Sequence, residues 1–303
     1  MERLASEALR VAASEFRVLI LGETGVGKTH LASFLHDLSP RREGPFLSLN
    51  AGALPETLLE GELFGWDRGA FTGADRRRPG LFQAANGGTL FLDDIDTVPL
   101  GIQAKLLDVV ETGRFFPLGS SVPLQTDVRI VAASNRDLSR EAAEGRFRMD
   151  LFYRLRDVVL TVPPLRERRE DVPWLVERFL AEAAEDLGRP PFPVDEGAME
   201  LLAASPWPGN VRELRSALRR AVLFGDGAMT ARVVRQLLEE APCPGVEPPD
   251  GPRLPGSFLL SDLEAWGVRR ALAESGGKKT KAANLLGVTY KTLRAMIDRH
   301  GIV

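Results

Sequence analysis

The sequence holds a single cysteine, Cys243, in 303 residues. An intramolecular disulfide is thereby excluded and a one-cysteine metal site is disfavoured, which fits a reducing cytoplasm. No run of about eighteen apolar residues occurs, so neither a transmembrane helix nor a membrane partner is expected. The opening stretch, MERLASEALRVAASEF, carries acidic residues and lacks the apolar core of a secretory signal. Large net charge is missing too: the formal value of -3 argues neither for nor against nucleic acid. What is present is the composition of a globular protein, 44% hydrophobic and 27% charged. The length allows a large core plus at least one small extra domain.

The charge is unevenly distributed. From Phe258 to Val303 there are eight Lys/Arg and four Asp/Glu, a net of +4 that leaves -7 for the rest. A basic tail on an acidic body suggests a division of labour, although a solvated helical tail would look the same on charge alone.

Apolar runs alternate with helical patterns over the first part of the chain: FRVLILG (16–22), FLSLN (46–50), GTLFLDD (88–94), VRIVAAS (128–134) and VVLTV (158–162). Short, β-branched runs ending in polar or glycine turns predict buried parallel strands with crossover helices. The strands then stop, and WLVERFLAEAAEDL, GAMELLAAS, NVRELRSALRRAVLF and TARVVRQLLEE read as a helical lid. Six prolines crowd residues 241–256, the mark of a partly stiff linker. The expected organisation is an α/β nucleotide-binding part over 1–168, a lid over 169–240, a Pro/Gly linker over 241–257 and a small all-α domain over 258–303.

GETGVGKT (22–29) matches GxxxxGK[ST] and directly follows a strand. Backbone N–H groups of Gly22, Glu23, Thr24, Gly25, Val26 and Gly27 can surround phosphate oxygens. Lys28 is placed to reach the β- and γ-phosphates of ATP, and Thr29 to hold Mg²⁺. A later strand ends in LDDID: Asp93 would orient Mg²⁺ and Asp94 would polarise the attacking water, with Asp96 left as a surface helix residue. Ser134 and Asn135 end a central strand, where open α/β sheets bind ligands. Asn135 either senses the γ-phosphate or caps the next helix.

Arg148 and Arg154 precede the last strand. They are either fingers that reach a neighbouring subunit's γ-phosphate or a solvated basic face. In WPGNVREL (207–214), Asn210 is a plausible helix cap and Arg212 falls in the first turn. A cation there is disfavoured by the helix dipole and wants an anionic partner such as nucleotide phosphate. In the tail, residues 259–275 form one amphipathic helix interrupted by Gly267, TKAANLLG a short helix, and Tyr290 to Arg299 a second, in helix-turn-helix spacing. Leu285, Leu286, Val288, Leu293 and Ile297 are expected to bury against the first helix. Thr289, Tyr290, Lys291, Thr292 and Arg294 are the candidates for groove and phosphate contact, and Lys278, Lys279 and Lys281 for phosphates alone. A packing domain without DNA is the alternative.

Together these residues resemble one family, the AAA+ activators of the sigma-54 form of bacterial RNA polymerase. The segment LNAGALPETLLEGELFGWDRGAFTGADRRRPGLFQAANGGTLFLDDID is very close to the family pattern, as are FRMDLFYRLRDVVLTVPPLRERREDV and WPGNVREL. The resemblance implies an AAA+ P-loop NTPase with a five-stranded parallel sheet and a helical lid. It implies a hexameric or heptameric ring that hydrolyses Mg-ATP to remodel closed promoter complexes into open ones. GAFTGA, Gly69, Ala70, Phe71, Thr72, Gly73 and Ala74, would be the sigma-54 contact loop at the tip of a helical hairpin, which accounts for an exposed phenylalanine. Asn50 would hold the catalytic carboxylate back, Arg148 and Arg154 would act in trans, and Arg212 would sense nucleotide. The tail resembles the Fis-type domain, a dimeric reader of enhancer-like double-stranded DNA.

Three departures stand out. The family normally ends its acidic strand in Asp-Glu, where this chain has Asp93-Asp94. The Glu often found after the glycine-loop lysine is replaced by Thr29, and LNAGAL lacks the motif's common cysteine. The first departure keeps open an alternative function, a DNA-binding regulator switched by nucleotide with weak or no hydrolysis. A general AAA+ remodeller of another protein is disfavoured by GAFTGA. No sensory module precedes the glycine loop, which is compatible with control by a partner or with a fragment of a longer signal-responsive chain.

Overall fold

The computed structural model describes residues 2–71, 74–225, 227–239 and 260–301. The chain divides into two compact units, Met1–Glu239 and Glu240–Val303. The linker expected over 241–257 lies outside the described residues, as do Thr72 and Gly73.

The first unit runs α1 (Glu2–Ala12), β1 (Val18–Leu21), α2 (Lys28–Asp37), β2 (Phe46–Asn50), α3 (Glu56–Phe64), β3 (Gly65–Trp66), β4 (Arg78–Pro79), α4 (Leu81–Ala84), β5 (Thr89–Asp93), α5 (Leu100–Thr112), β6 (Arg114–Phe115), β7 (Leu124–Gln125), β8 (Arg129–Ser134), α6 (Leu138–Ala143), α7 (Met149–Leu155) and β9 (Val158–Thr161). The lid follows as α8 (Val172–Asp186), α9 (Glu196–Ala204), α10 (Asn210–Phe224) and α11 (Ala231–Glu239). The second unit holds α12 (Leu260–Glu274), α13 (Lys279–Leu285) and α14 (Tyr290–Arg299).

The five long strands form one parallel sheet in the order β2-β5-β8-β1-β9. Every residue of β8, and all of β5 but its last, is buried, as expected for central strands covered on both faces. Alternate residues serve two cores. Leu19, Leu90, Leu92, Ile130 and Ala132 face one, and Val18, Ile20, Phe91, Val131 and Ala133 the other. The lid has its own core around Leu175, Val176, Leu202, Trp207, Leu214 and Leu218.

The sequence expectations need four corrections here. Asp96 is buried rather than a surface residue: Ser134 Oγ donates to its Oδ1 at 2.7 Å. Asn210 does not cap α10. It is the first helical residue, fully buried at φ +54°, and its side chain is turned to the P-loop. Helix α12 runs through Gly267 without a break. Leu285 is 52% exposed, because Ala282 and Ala283 of α13, and Leu286 just after it, supply the helix's packing into the core instead.

Candidate functional site

The parallel register assembles the site. Asn50 pairs with Asp93 across β2 and β5, and Leu21 with Ser134 across β1 and β8. The carboxyl ends of these strands therefore bring Asn50, Asp93, Asp94 and the start of the glycine loop to one edge. A pocket of about 510 Å³ opens there, lined by Thr24, Gly25, Gly27, Lys28, Thr29, Asn50, Asp93, Asp94 and Arg212 among others. Gly22, Gly25 and Gly27 have φ of +157°, +80° and +105°. A side chain at Gly25 would put a Cβ 2.4 Å from the Gly209 carbonyl oxygen, so this glycine is required by the close approach of the lid.

Lys28 opens α2 and is buried, with Nζ donating to the carbonyls of Gly22 at 2.9 Å and Glu23 at 3.2 Å. Its pKa is lowered, chiefly by burial, against the pull of Asp93, Asp94 and Asp96. Asp93 is shifted upward, first by burial and then by repulsion from Asp94. A site whose lysine and carboxylate are both strained in their charged forms is one that gains from an incoming ion pair of its own. Thr29 and Asp93 offer hard oxygen donors, the type magnesium takes alongside phosphate oxygens. Among the described residues no group of three or more His, Cys, Asp or Glu is arranged to hold a metal alone. The donor set thus fits a metal that arrives with phosphates.

Asp94 sits in the left-handed region at φ +52°. Its N–H donates to Asp93 Oδ1 at 3.0 Å and its carbonyl accepts from Thr97 N at 2.9 Å and Thr97 Oγ1 at 2.7 Å. Asn50 Nδ2 donates to Asp94 Oδ2 at 2.9 Å, a direct hold on the carboxylate. Asn135 Nδ2 lies 3.2 Å from Thr24 Oγ1, beside the P-loop, and the cap of α6 is Asp137, not Asn135.

Arg212 lines the pocket from α10. Arg148 and Arg154 do not line the chain's own pocket. Both are exposed at the two ends of α7, Arg148 paired with Asp150 at 2.8 Å and Arg154 with Glu111 at 2.7 Å.

The GAFTGA loop stands on the antiparallel pair β3–β4, between α3 and α4. Gly69 has φ +85° and its N–H donates to the Ala74 carbonyl at 2.8 Å, while Ala74 N–H donates to the Phe71 carbonyl at 3.0 Å. Phe71 is 49% exposed and leans edge-on against Trp66, with centroids 5.5 Å apart. A second loop, from the β6–β7 hairpin, is zipped onto this one. Leu118 N–H donates to the Gly65 carbonyl at 2.9 Å and Asp67 N–H to the Leu118 carbonyl at 3.0 Å. Sequence reasoning missed this prop; its signal was the turn-rich GRFFPLGSSVPL between two helical and strand runs.

In the second unit, Lys278, Lys279, Lys281, Thr289, Tyr290, Lys291, Thr292 and Arg294 are all exposed. Thr289 caps α14, accepting from Thr292 N at 3.2 Å, so two of the hydroxyls are engaged with the helix start and each other. Another pocket of the first unit, about 800 Å³, lies at the opposite, amino-terminal edge of the sheet. Its arginines are engaged within the fold, Arg17 with Asp157, Arg41 with Glu15 and Asp127, and Arg129 with helix carbonyls.

Three families match the chain. The sigma-54 interaction domain matches residues 1–161, the AAA+ ATPase lid domain 166–242, and the Fis family of bacterial regulatory proteins 260–300. The Nif-specific regulatory protein of Azotobacter vinelandii is 45% identical over 98% of this chain and 57% of its own length. The transcriptional regulator NtrC of a Bradyrhizobium species is 42% identical over 98% of this chain and 67% of its own. The crystal structure of NtrX from Brucella abortus in complex with ATP superposes with a TM-score of 0.73 at 31% identity, covering 100% of this chain and 68% of that one. The chain thus spans 57% to 68% of the length of these proteins.

Proposed function

This chain belongs to the sigma-54-dependent transcriptional activators, with an AAA+ P-loop fold and a Fis-type helix-turn-helix, and on that premise we propose that it is a DNA-bound, ATP-driven remodelling enzyme. The observation that carries the proposal is the meeting of Lys28, Thr29, Asp93, Asp94, Asn50 and Arg212 around one pocket.

Gly22, Glu23, Thr24, Gly25, Val26, Gly27 and Lys28 receive the phosphates of ATP, and Arg212 contacts them from the lid. Thr29 and Asp93 would hold Mg²⁺, which neutralises charge on the phosphates when bound. Asp94 accepts a proton from the attacking water and directs it in line, without a covalent intermediate. Asn50 restrains Asp94 through the bond already formed, so the base is released only when the β2–β5 edge shifts. Asn135 stands beside Thr24 as a further polar contact. Arg148 and Arg154 exchange their own carboxylates for the γ-phosphate of a neighbouring subunit, which makes the working form a hexameric or heptameric ring. The loop at 69–74 transmits the nucleotide state to sigma-54 RNA polymerase, and the tail holds the ring, as dimers, on enhancer-like DNA in the cytoplasm.

The Asp94 departure favours a second reading, a nucleotide-switched regulator with little hydrolysis. Steady-state ATP hydrolysis against protein concentration, with Mg²⁺ present, separates the two. A rate per subunit that climbs steeply with concentration supports shared sites and a competent Asp94. A background rate at every concentration, with ATP still bound, sinks the motor.

A further inference from the structure

Four consecutive P-loop residues are tied to the lid and to the connection that leads into it. The Glu23 carboxylate accepts from Arg166 at 2.8 and 2.6 Å and from Asn210 Nδ2 at 3.1 Å. The Thr24 carbonyl accepts from the same Asn210 amide at 3.1 Å. The Gly25 carbonyl accepts from Arg212 N–H at 3.3 Å, and the Val26 carbonyl from Arg168 Nη2 at 2.6 Å. Asn210 and Arg168 are buried, and Asn210 Oδ1 accepts from Leu165 N–H at 2.8 Å. One amide thus joins the P-loop, the strand-to-lid turn and the start of α10. The Arg166 and Asn210 bonds hold the Glu23 pKa at about 2.

These bonds have a geometric consequence. In a trans peptide the C=O and the next N–H point in opposite directions. With the carbonyls of Thr24, Gly25 and Val26 drawn toward the lid, the N–H groups of Gly25, Val26 and Gly27 are turned away from it. A row of N–H groups facing one way is what an anion nest needs. Gly25 and Gly27 have little conformational preference of their own, so the orientation has to be imposed from outside.

We infer that Asn210, Arg168 and the Glu23–Arg166 pair are positioning residues that hold the P-loop in its phosphate-accepting form. The inference rests on the proposal that this pocket takes nucleotide. It is separate from the side chain of Arg212, because the clamp acts through the loop and need not touch the ligand.

The test is Asn210→Gly in the full chain, which removes the amide while tolerating the left-handed backbone at 210. Loss of its hydrogen bonds should raise the Kd for ADP, and the KM for Mg-ATP, on the order of tenfold. The fall in kcat should be smaller than the rise in KM, since the reacting groups remain. Without nucleotide, the Arg212 amide, which is held by the Gly25 carbonyl, should exchange faster with deuterium, while the amides of β5 and β8 hold their protection. A fall in kcat at constant KM, or unchanged exchange at Arg212, would overturn the clamp and leave Asn210 a packing residue. If Asn210→Gly fails to fold, Arg166→Gln at the exposed end of the clamp carries the same expectation for ADP, about fivefold, and an unchanged Kd there is equally fatal. Wild-type protein that binds no ADP would instead remove the nucleotide site and the clamp together.

Discussion

Replacing Asp94 with glutamate tests whether the shorter carboxylate limits turnover. The backbone at 94 is pinned by three hydrogen bonds, to Asp93 and from Thr97 N and Oγ1. A backbone shift therefore cannot deliver the missing methylene, and the side chain alone must carry the added reach of about 1.5 Å. Misplacement near 1 Å costs roughly a hundredfold in a positioned step, equal to about 2.7 kcal/mol of barrier. Asp94→Glu should accordingly raise kcat by up to about a hundredfold. The gain has a structural cost. At φ +52° aspartate is tolerated by its short polar side chain, whereas glutamate is not favoured, so the variant should lose about 1 kcal/mol. For a unit of this size that lowers the thermal midpoint by about 2–4 °C. The assay is phosphate release at saturating Mg-ATP and at a protein concentration where rate per subunit has reached its plateau, with melting followed in parallel. Equal turnover for wild type and variant would refute the geometric handicap. It would place catalysis in an ordered water or in a movement of Asp94 that this conformation does not display.

Three further outcomes are expected. Gly119→Val would set a side chain against Ala70, where even a Cβ lies 2.8 Å from its neighbour, at φ +75°; sigma-54 binding in pull-down should drop at least fivefold with the ATPase rate kept, and unaltered binding would count against the prop. Glu23 has its pKa lowered from 4.5 to about 2, so the ion pair stabilises the fold fully above pH 4.5 and loses that contribution as pH falls toward 2. Acid unfolding of Glu23→Gln should therefore be shallower than wild type in that window, and parallel curves would remove the linkage. In the second unit, Leu285→Ser should change stability by less than about 0.5 kcal/mol whereas Leu293→Ala should cost about 2–5 kcal/mol; equal losses on urea melting would mean Leu285 is covered in solution.

The strands and the two tail helices were legible because each carries its own signal within a few residues. Short continuous apolar runs closed by polar or glycine turns mark β1, β5 and β8, and helix-turn-helix spacing marks Tyr290 to Arg299. Asn210 was misread for the opposite reason. Its residue type fits a local cap, but its partners Glu23 and Thr24 lie 187 and 186 residues away. Asp96, in the turn after β5, has the same cause: its partner Ser134 ends β8, 38 residues on. The pairs β3–β4 and β6–β7 have two residues per strand, too few for any periodicity. In the pocket, residue types were readable from motif spacing. The bond from Asn50 to Asp94 was expected only through the family resemblance, because no local rule links them.

The parallel pairing of β2 with β5 has a mechanical meaning. The chain leaves the sheet after Asn50 and returns at Thr89, and everything between is the excursion that carries the contact loop. Its two ends are neighbours in the sheet, Asn50 opposite Asp93, and Asn50 also grips Asp94 at 2.9 Å. The insertion is thus a pair of tweezers held at the handles by the Asp94 carboxylate. A small separation of the handles would be carried outward by α3 and α4 to a loop whose base is locked to a second loop. Phe71 would then travel as part of a stiff two-ply blade rather than as a floppy tip, and the stroke delivered to a partner would be set by the sheet edge.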